Sequence, residues 1–508
     1  MSDDDLLHLL RRTLFSVSVE EFVLFKNMPQ EEVFNTLLKR NTIPPPPIQI
    51  DPDMKDPLVP IGQTWINAPF ENDLIDNHRR IYFKAWWVGQ LLHRDLSITS
   101  KMVLFWHNHF PIQSEVVKDA RYFYKYTELL YRHATGNVKS LIKEGTRNVA
   151  MLVYLNGNTN RKNAPNENYS RELMELFTIG INGEKTYSED DVKAAAKVLT
   201  GWKDNKVTIS ADFIPDEHDS SDKIFSPFFF NKVIKGKSGL SGADETDELI
   251  DMIFEKKECA LFICKNLYRW FFSDKISSAT EESVISNFAD ILYNSNYELL
   301  PVLKAMLQST HFYSEKVKGT LIKSPIDYLI ALHKQFPFSF PEDLTQKHLS
   351  WVYFYSFLAE IGMDIGDPPS VAGWPAFHQS PQFNLWWINS STLSSRYGII
   401  KSLTSAKGLQ CNGINLSFND SLFHEKLTEV FKYGQFKNLI ERLFFSVPLS
   451  SYAKQEFERV LSSIEYTLIT SDGPQKKIEP AESDKTESAH NIELFIQTIT
   501  SFPEYQLV

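Results

Sequence analysis

Apolar residues recur along this chain mostly at helical intervals. Leu6, Leu7, Leu10 and Leu14 share one stripe, and Phe22, Leu24, Phe34, Leu37 and Leu38 extend the pattern, so residues 1–40 read as N-terminal helices. Pro44 to Pro47, followed by Pro52, Pro57 and Pro60, remove backbone donors and favour extended backbone. Residues 41–73 therefore read as a proline-rich arm laid over the main body. From Leu74 the helical signal is strong: Ile81, Ala85, Val88 and Leu92 form one stripe. Met102, Val103, Phe105 and Trp106 lie on a second helix that stops at Pro111. Ser188-Glu-Asp-Asp191 is a capping box, a hydroxyl for the first free N–H groups with an acid three residues later. Residues 74–205 thus read as a helical core that also carries a dense polar motif.

The period then changes. Val207-Thr-Ile209, Ala211-Asp-Phe-Ile214 and Phe228 to Val233 are short β-prone runs separated by polar turns. Residues 206–240 read as an antiparallel β insertion, and residues 241–469 as a C-terminal helical region interrupted by a loop rich in tryptophan and proline. Residues 470–491 are polar and poor in aromatics, the composition of a disordered linker, and residues 492–508 close with a helix. The predicted fold is mainly α: a large multi-helix body with a small antiparallel β insertion.

Composition narrows the function classes. A chain of 508 residues divides into roughly two to four domains or subdomains. A net charge of −11 with scattered Lys and Arg argues against a nucleic-acid partner, which needs a concentrated basic face. Cys259, Cys264 and Cys411 form neither a disulfide framework nor a Cys-x-x-Cys metal pair. No uncharged run approaches the ~20 apolar residues of a membrane span. Arg11-Arg12 invites comparison with a twin-arginine export signal, but Glu20 and Glu21 interrupt the apolar stretch such a signal requires. The expectation is a cytoplasmic chain as written, or an exported one if its start is misassigned. Nothing resembles a dinucleotide fingerprint, a phosphate-binding loop or a Gly-x-Ser-x-Gly elbow.

Three polar constellations could carry chemistry. His107 and His109 diverge by about 200° on a regular helix, but an extended exit before Pro111 would let both face one ion. With Glu172 or Glu175 and His218 they would make an N/O ligand set for a divalent metal. The competing reading buries one histidine in the core and uses the other to cap the helix end. Glu167, Arg171 and Glu175 are spaced i, i+4, i+8, an acid–base–acid ladder. In a catalytic reading Glu172 or Glu175 is a general acid or base tuned by Arg171, with Asn166 and Arg161 orienting substrate. In a structural reading the ladder is a salt-bridge row with Asn166 as helix cap. His218 beside Asp219 is either an acid–base group or part of an exposed acidic turn. Trp374, Trp386, Trp387 and Phe377, with Asn384 and Asn389, could stack on a sugar or planar ligand, or simply pack.

Several motifs together resemble a known family. They are Trp106-His-Asn-His-Phe110, Arg161-Lys-x-Ala-Pro-Asn-Glu-Asn-Tyr-x-Arg-Glu-Leu-x-Glu-Leu-Phe177, Cys264-Lys-Asn-Leu-Tyr-Arg-Trp270, Pro368-Pro-x-Val-x-Gly-Trp-Pro375 and Trp387-Ile-Asn-Ser-Ser-Thr-Leu-x-x-Arg396. His218-Asp219, Leu7-His-Leu-Leu-Arg-Arg12 and Phe502-Pro-Glu-Tyr505 also fit. Over nearly its whole length the chain is similar to the bacterial domain-of-unknown-function family 1800. The resemblance implies frequent export and a sulfatase-like neighbour, domain-of-unknown-function family 1501, as a partner. It implies no particular reaction. The chain departs from the family in lacking the export signal and in a longer segment, Ala376 to Leu385. Two functional expectations follow: an enzyme using acid–base or metal-assisted chemistry on a polar, carbohydrate-like substrate, or a non-catalytic partner or maturation protein for the sulfatase-like neighbour.

Overall fold

The helix Thr99–His109 is buried along its whole length, every one of its residues included, and the rest of the chain is built around it. A helix without a polar face can only lie inside a protein. It ends at Phe110, whose carbonyl is taken by the Tyr126 hydroxyl from the helix Ala120–His133. The computed structural model describes the chain except residues 52, 53, 55, 94, 95, 182–186, 375–382, 406, 412, 420, 421, 424, 428–435 and 472–481. The expected cluster around Phe377, most of the Ala376–Leu385 segment and the centre of the expected linker therefore lie outside the described residues.

The architecture is mainly α with small β insertions. Asn72 opens the long helix Asp73–Leu92 by accepting from the backbone N–H groups of Leu74 and Ile75, each at 3.0 Å. This helix lies along Leu344–Glu360. One continuous apolar core runs from Leu6 to Tyr505, so the segments distinguished by composition share a single interior. The N-terminal helix Asp3–Leu14 joins that interior through charge as well as through leucine. Arg11 donates to the carbonyls of Arg442 and Phe445, and Arg12 to those of Phe272 and Val317. Among the described residues no helix is long and apolar enough to cross a membrane.

Three two-stranded antiparallel sheets occur among the described residues. Strand β1, Trp202–Asn205, pairs with β2, Ser210–Phe213, and β3, Lys223–Ile224, with β4, Val233–Ile234. These form the expected insertion, which begins at Trp202. The run Phe228 to Val233 is not one strand. Pro227–Phe229 is a 3-10 turn and Phe230 takes a left-handed φ of 58°, so the chain reverses before β4. A third hairpin, β5 Leu409–Cys411 with β6 Ile414–Leu416, lies in the region read as helical. The last long helix spans Glu482–Ser501 and starts ten residues before the expected Ile492.

Candidate functional site

The buried helix Thr99–His109 delivers its two histidines to different places. His107 enters an aromatic box, with ring centroids 5.1 Å from Trp87, 5.4 Å from Trp374 and 6.3 Å from Phe123. Neither ring nitrogen has a hydrogen-bond partner among the described residues. Burial pushes its pKa down to about 3, with Asp367 opposing and Lys84 adding to the shift. His109 instead faces a cleft of about 210 Å³ and stacks on Phe105 at 5.7 Å.

Both ring nitrogens of His109 are engaged. Nε2 lies 2.9 Å from the carbonyl of Phe177, which can only accept, so Nε2 carries the proton. Nδ1 is then the acceptor and meets the Asn266 side-chain amide at 3.3 Å. The Asn266 Oδ1 in turn accepts from Arg269 Nη1 at 3.2 Å. Burial lowers the His109 pKa to about 4 and the Phe177 carbonyl only partly opposes it, so the imidazole is neutral at physiological pH.

The Phe177 carbonyl is available because of how its helix ends. The helix Asn168–Glu172 widens into a π turn over Leu173–Thr178, and Ile179 and Gly180 both donate back to the Met174 carbonyl. A carbonyl in the last turn has no partner within its own helix, and His109 supplies one. Gly180 makes the exit possible: its φ is +80°, and a Cβ there would lie 2.4 Å from the Phe262 ring. The same helix brings Glu175 and Leu176 to the cleft wall.

Asn108 forms another part of the wall. Its Oδ1 accepts from the Trp374 backbone N–H at 2.8 Å, which docks the Pro368–Trp374 loop. Gly373 permits that approach, with φ +86° and an imagined Cβ only 2.3 Å from the Asn108 carbonyl oxygen. Phe262, Asn266, Arg269 and Trp270 enter from one face of the helix Lys257–Phe271. The cleft thus joins an aromatic wall to a neutral imidazole, a carboxylate, a carboxamide and a guanidinium. Such a set can hold a small molecule by one apolar face and several polar groups.

That convergence of Trp106–Phe110, the Arg161–Phe177 segment, Cys264–Trp270 and the Pro368 loop agrees with the whole-chain comparison. The chain belongs to the family described as Protein of unknown function (DUF1800). The family match covers residues 8–507. No curated protein and no solved structure matches the chain.

Several expected site residues lie elsewhere in this family member. The metal set of His107, His109, a glutamate and His218 is not assembled. Among the described residues, no three His, Cys, Asp or Glu side chains come together as a cation site would need. His218 is buried under the β insertion, with Nδ1 2.9 Å from the Thr200 carbonyl and Nε2 3.1 Å from Glu245. Glu245 also binds Lys223, so His218 belongs to a fixed internal charge cluster rather than to the cleft. The ladder does form, with Arg171 3.2 Å from Glu167 and 3.7 Å from Glu175. Its strongest contact, however, is a bidentate pair to Glu189, both bonds 2.8 Å, which ties the polar helix to the capping-box helix Glu189–Val198. Arg171 acts there as a brace.

Glu172 is half-buried and does not line the cleft. Burial pushes its carboxyl upward, Glu175 adds to the shift and Arg171 opposes it. Asn166 accepts from the Asn168 N–H at 2.9 Å and so shapes the helix entrance. Arg161 is exposed in a turn closed on Ala164. Asn389 caps the helix Ser390–Thr404, accepting from Ser391 and Thr392. Trp374 and Trp387 are buried, so neither offers a stacking face to a ligand. Asn108, Asn266, Arg269 and Trp270 were not anticipated. Asn108 sits in the Trp106–Phe110 motif and the other three in the Cys264–Trp270 motif, but no spacing along the chain marks them as meeting.

Proposed function

We propose that the His109 cleft binds a small polar molecule with one apolar or ring face, of carbohydrate-like character, and that the protein acts on it by acid–base chemistry. The observation that carries the reading is the Arg269–Asn266–His109–Phe177 relay, which fixes one tautomer and keeps the Nδ1 lone pair beside the cleft. A substrate hydroxyl that displaces the long Asn266 contact would meet a proton acceptor already oriented for it. Glu175 supplies a carboxylate, a second acceptor on the cleft wall, and Arg269 a donor for an anionic or hydroxyl group. Phe105, Phe262 and Trp270 give the ring face its wall.

The test is saturation-transfer NMR with a panel of neutral monosaccharides and sugar acids, on the wild type and on Asn266→Leu. Binding by the wild type that weakens at least tenfold in a correctly folded variant supports the reading. Absence of transfer from every compound, or equal binding by both proteins, counts against it. A second reading has its own support. Leu385 and Trp386 are 55% and 49% exposed side by side, a contact surface suited to a protein such as the sulfatase-like neighbour. Loss of co-purification of the two proteins in Trp386→Ser would favour that role, and unchanged co-purification would discard it.

A further inference from the structure

Asn108 stands beside His109 on the cleft wall and is only 9% exposed, yet only one end of its amide is engaged. Its Oδ1 lies 2.8 Å from the Trp374 backbone N–H, which can only donate. The amide therefore has one orientation, and its other end is the donor Nδ2. Nδ2 bonds to nothing among the described residues and is not sealed inside the protein, so it opens onto the cleft. The loop that fixes this orientation is itself pinned at its other end. Lys84 binds Asp364 and Asp367, and Asp367 accepts from the Ser114 hydroxyl and the Glu115 N–H. Gln113 donates to the Pro368 carbonyl at 2.7 Å. The free donor is thus held in place before any ligand arrives, which lowers the ordering cost of binding.

Asn108 and His109 are consecutive, and their side chains leave the helix about 100° apart. Both line the cleft. One offers it a hydrogen through Nδ2, and the other a lone pair through Nδ1. Net charge does not choose the occupant. The described lining carries one cation, Arg269, and one carboxylate, Glu175, and the imidazole is neutral. The directed pair does choose. A hydroxyl oxygen set against Nδ2 brings a hydrogen that must find its own acceptor, whereas a carbonyl or carboxylate oxygen brings none. A wall built around such a donor loses affinity for a ring that cannot supply the matching acceptor.

We propose that Asn108 is the specificity-determining residue of the cleft, its Nδ2 donating to a carbonyl-type oxygen of the ligand beside a hydroxyl that faces His109 Nδ1. The proposal rests on the reading of this cleft as the ligand site. It narrows the occupant to a ring compound whose carboxyl, ester or amide carbonyl lies next to a hydroxyl. A sugar acid or its ester has that arrangement. The parent sugar, with a hydroxymethyl group in place of the carbonyl, lacks it. One amide then does two things: its oxygen docks the Pro368–Trp374 loop, and its nitrogen reads the ligand.

The experiment is NMR titration of the full chain with glucose, glucuronic acid and the methyl ester of glucuronic acid, following the assigned side-chain amide signal of Asn108. The acid and the neutral ester should each bind at least about tenfold tighter than glucose and should shift that signal, which glucose leaves in place. Asn108→Asp keeps an oxygen for the Trp374 N–H but turns the donor into an acceptor. In the folded variant the preference for the ester over glucose should vanish. Three equal affinities in the wild type would overturn the proposal and leave the reading of the cleft standing. Binding of the acid without the ester would also overturn it, since the charge of Arg269 would then be the selector. So would an Asn108 signal that stays put while the ester binds, or a variant that keeps the wild-type preference. Failure of all three compounds to bind would bring down both this proposal and the carbohydrate-like reading beneath it. Should the variant fail to fold, the wild-type affinities and the Asn108 signal decide the matter.

Discussion

Lys223→Met offers a quantitative test of the charge cluster under the β insertion. Lys223 and Glu245 both have 0% side-chain exposure, and they face each other directly. Removing one partner of a buried ion pair costs about 3–5 kcal/mol, because the other charge is left desolvated. Glu245 would keep the Lys237 backbone N–H at 2.6 Å and His218 at 3.1 Å, which moves the expected loss toward about 3 kcal/mol. Loss should concentrate in the insertion, which Lys223 ties to the helix Asp244–Phe254. Hydrogen-exchange mass spectrometry of peptides covering residues 202–254 is therefore the assay, with the opening free energy as readout. Adding Glu245→Gln should restore much of the loss, since it removes the stranded charge. The pH dependence has a definite sign. Burial alone would raise the Glu245 carboxyl, but His218, Lys223 and the Lys237 N–H outweigh it and hold its pKa below the ordinary value of 4.5. Its stabilising contribution is thus present above pH 4.5 and lost as pH falls through the lower folded pKa. A loss under about 1 kcal/mol for Lys223→Met, or a double variant no better than the single one, would refute the assignment of these residues as a structural cluster.

Gly373→Ala forces a Cβ to within 2.3 Å of the Asn108 carbonyl oxygen at a left-handed φ, so a loss of about 2–4 kcal/mol is expected in denaturant titration. The same variant should weaken any ligand of the His109 cleft. His107→Leu should cost less than about 2 kcal/mol, because the nitrogens it removes have no partners, and a larger loss would reveal polar contacts around that ring. Ring signals of His107 and His109 should not titrate between pH 5 and 8 in NMR spectra, given folded pKa values of about 3 and about 4 against 6.5 unperturbed. The stability linked to these rings is full above pH 6.5 and is lost as pH falls toward the folded values, where the unfolded chain alone takes up protons. Asn389→Ala should lose about 1 kcal/mol as a helix cap and leave ligand binding unchanged.

Local signals in the sequence carried over well. The Ser188–Asp191 capping box forms as read, and the Glu167–Arg171–Glu175 ladder has the spacing that places it on one helical face. The helical class and the position of the β insertion follow from the same periodicities. The cleft was legible only in part, because its central contact joins residues 157 positions apart. The spacing of His107 and His109 let them act together only on an extended exit before Pro111. The intact α-helix to His109 separates them, as an ordinary helix must. The π turn that frees the Phe177 carbonyl has no periodic signature, since it adds one residue to an otherwise regular helix. His218 read as an acid–base group or part of an exposed acidic turn beside Asp219, because its actual partner, Glu245, lies on a helix beyond the insertion. Asn389 illustrates the converse. Asn-Ser-Ser-Thr at the start of a helical run is already a cap signature, and the neighbouring tryptophans drew it toward a ligand-binding reading.

The central claim is that the cleft between His109, Asn266 and Trp270 is the ligand site of this chain. Crystallographic screening of wild-type crystals with a library of small polar ring compounds tests it most directly. The account predicts ligand density in that cleft, with a hydroxyl or amine hydrogen within hydrogen-bonding reach of His109 Nδ1 and a ring face against Trp270. Ligands that settle repeatedly elsewhere, with the cleft unvisited across the whole library, would contradict it.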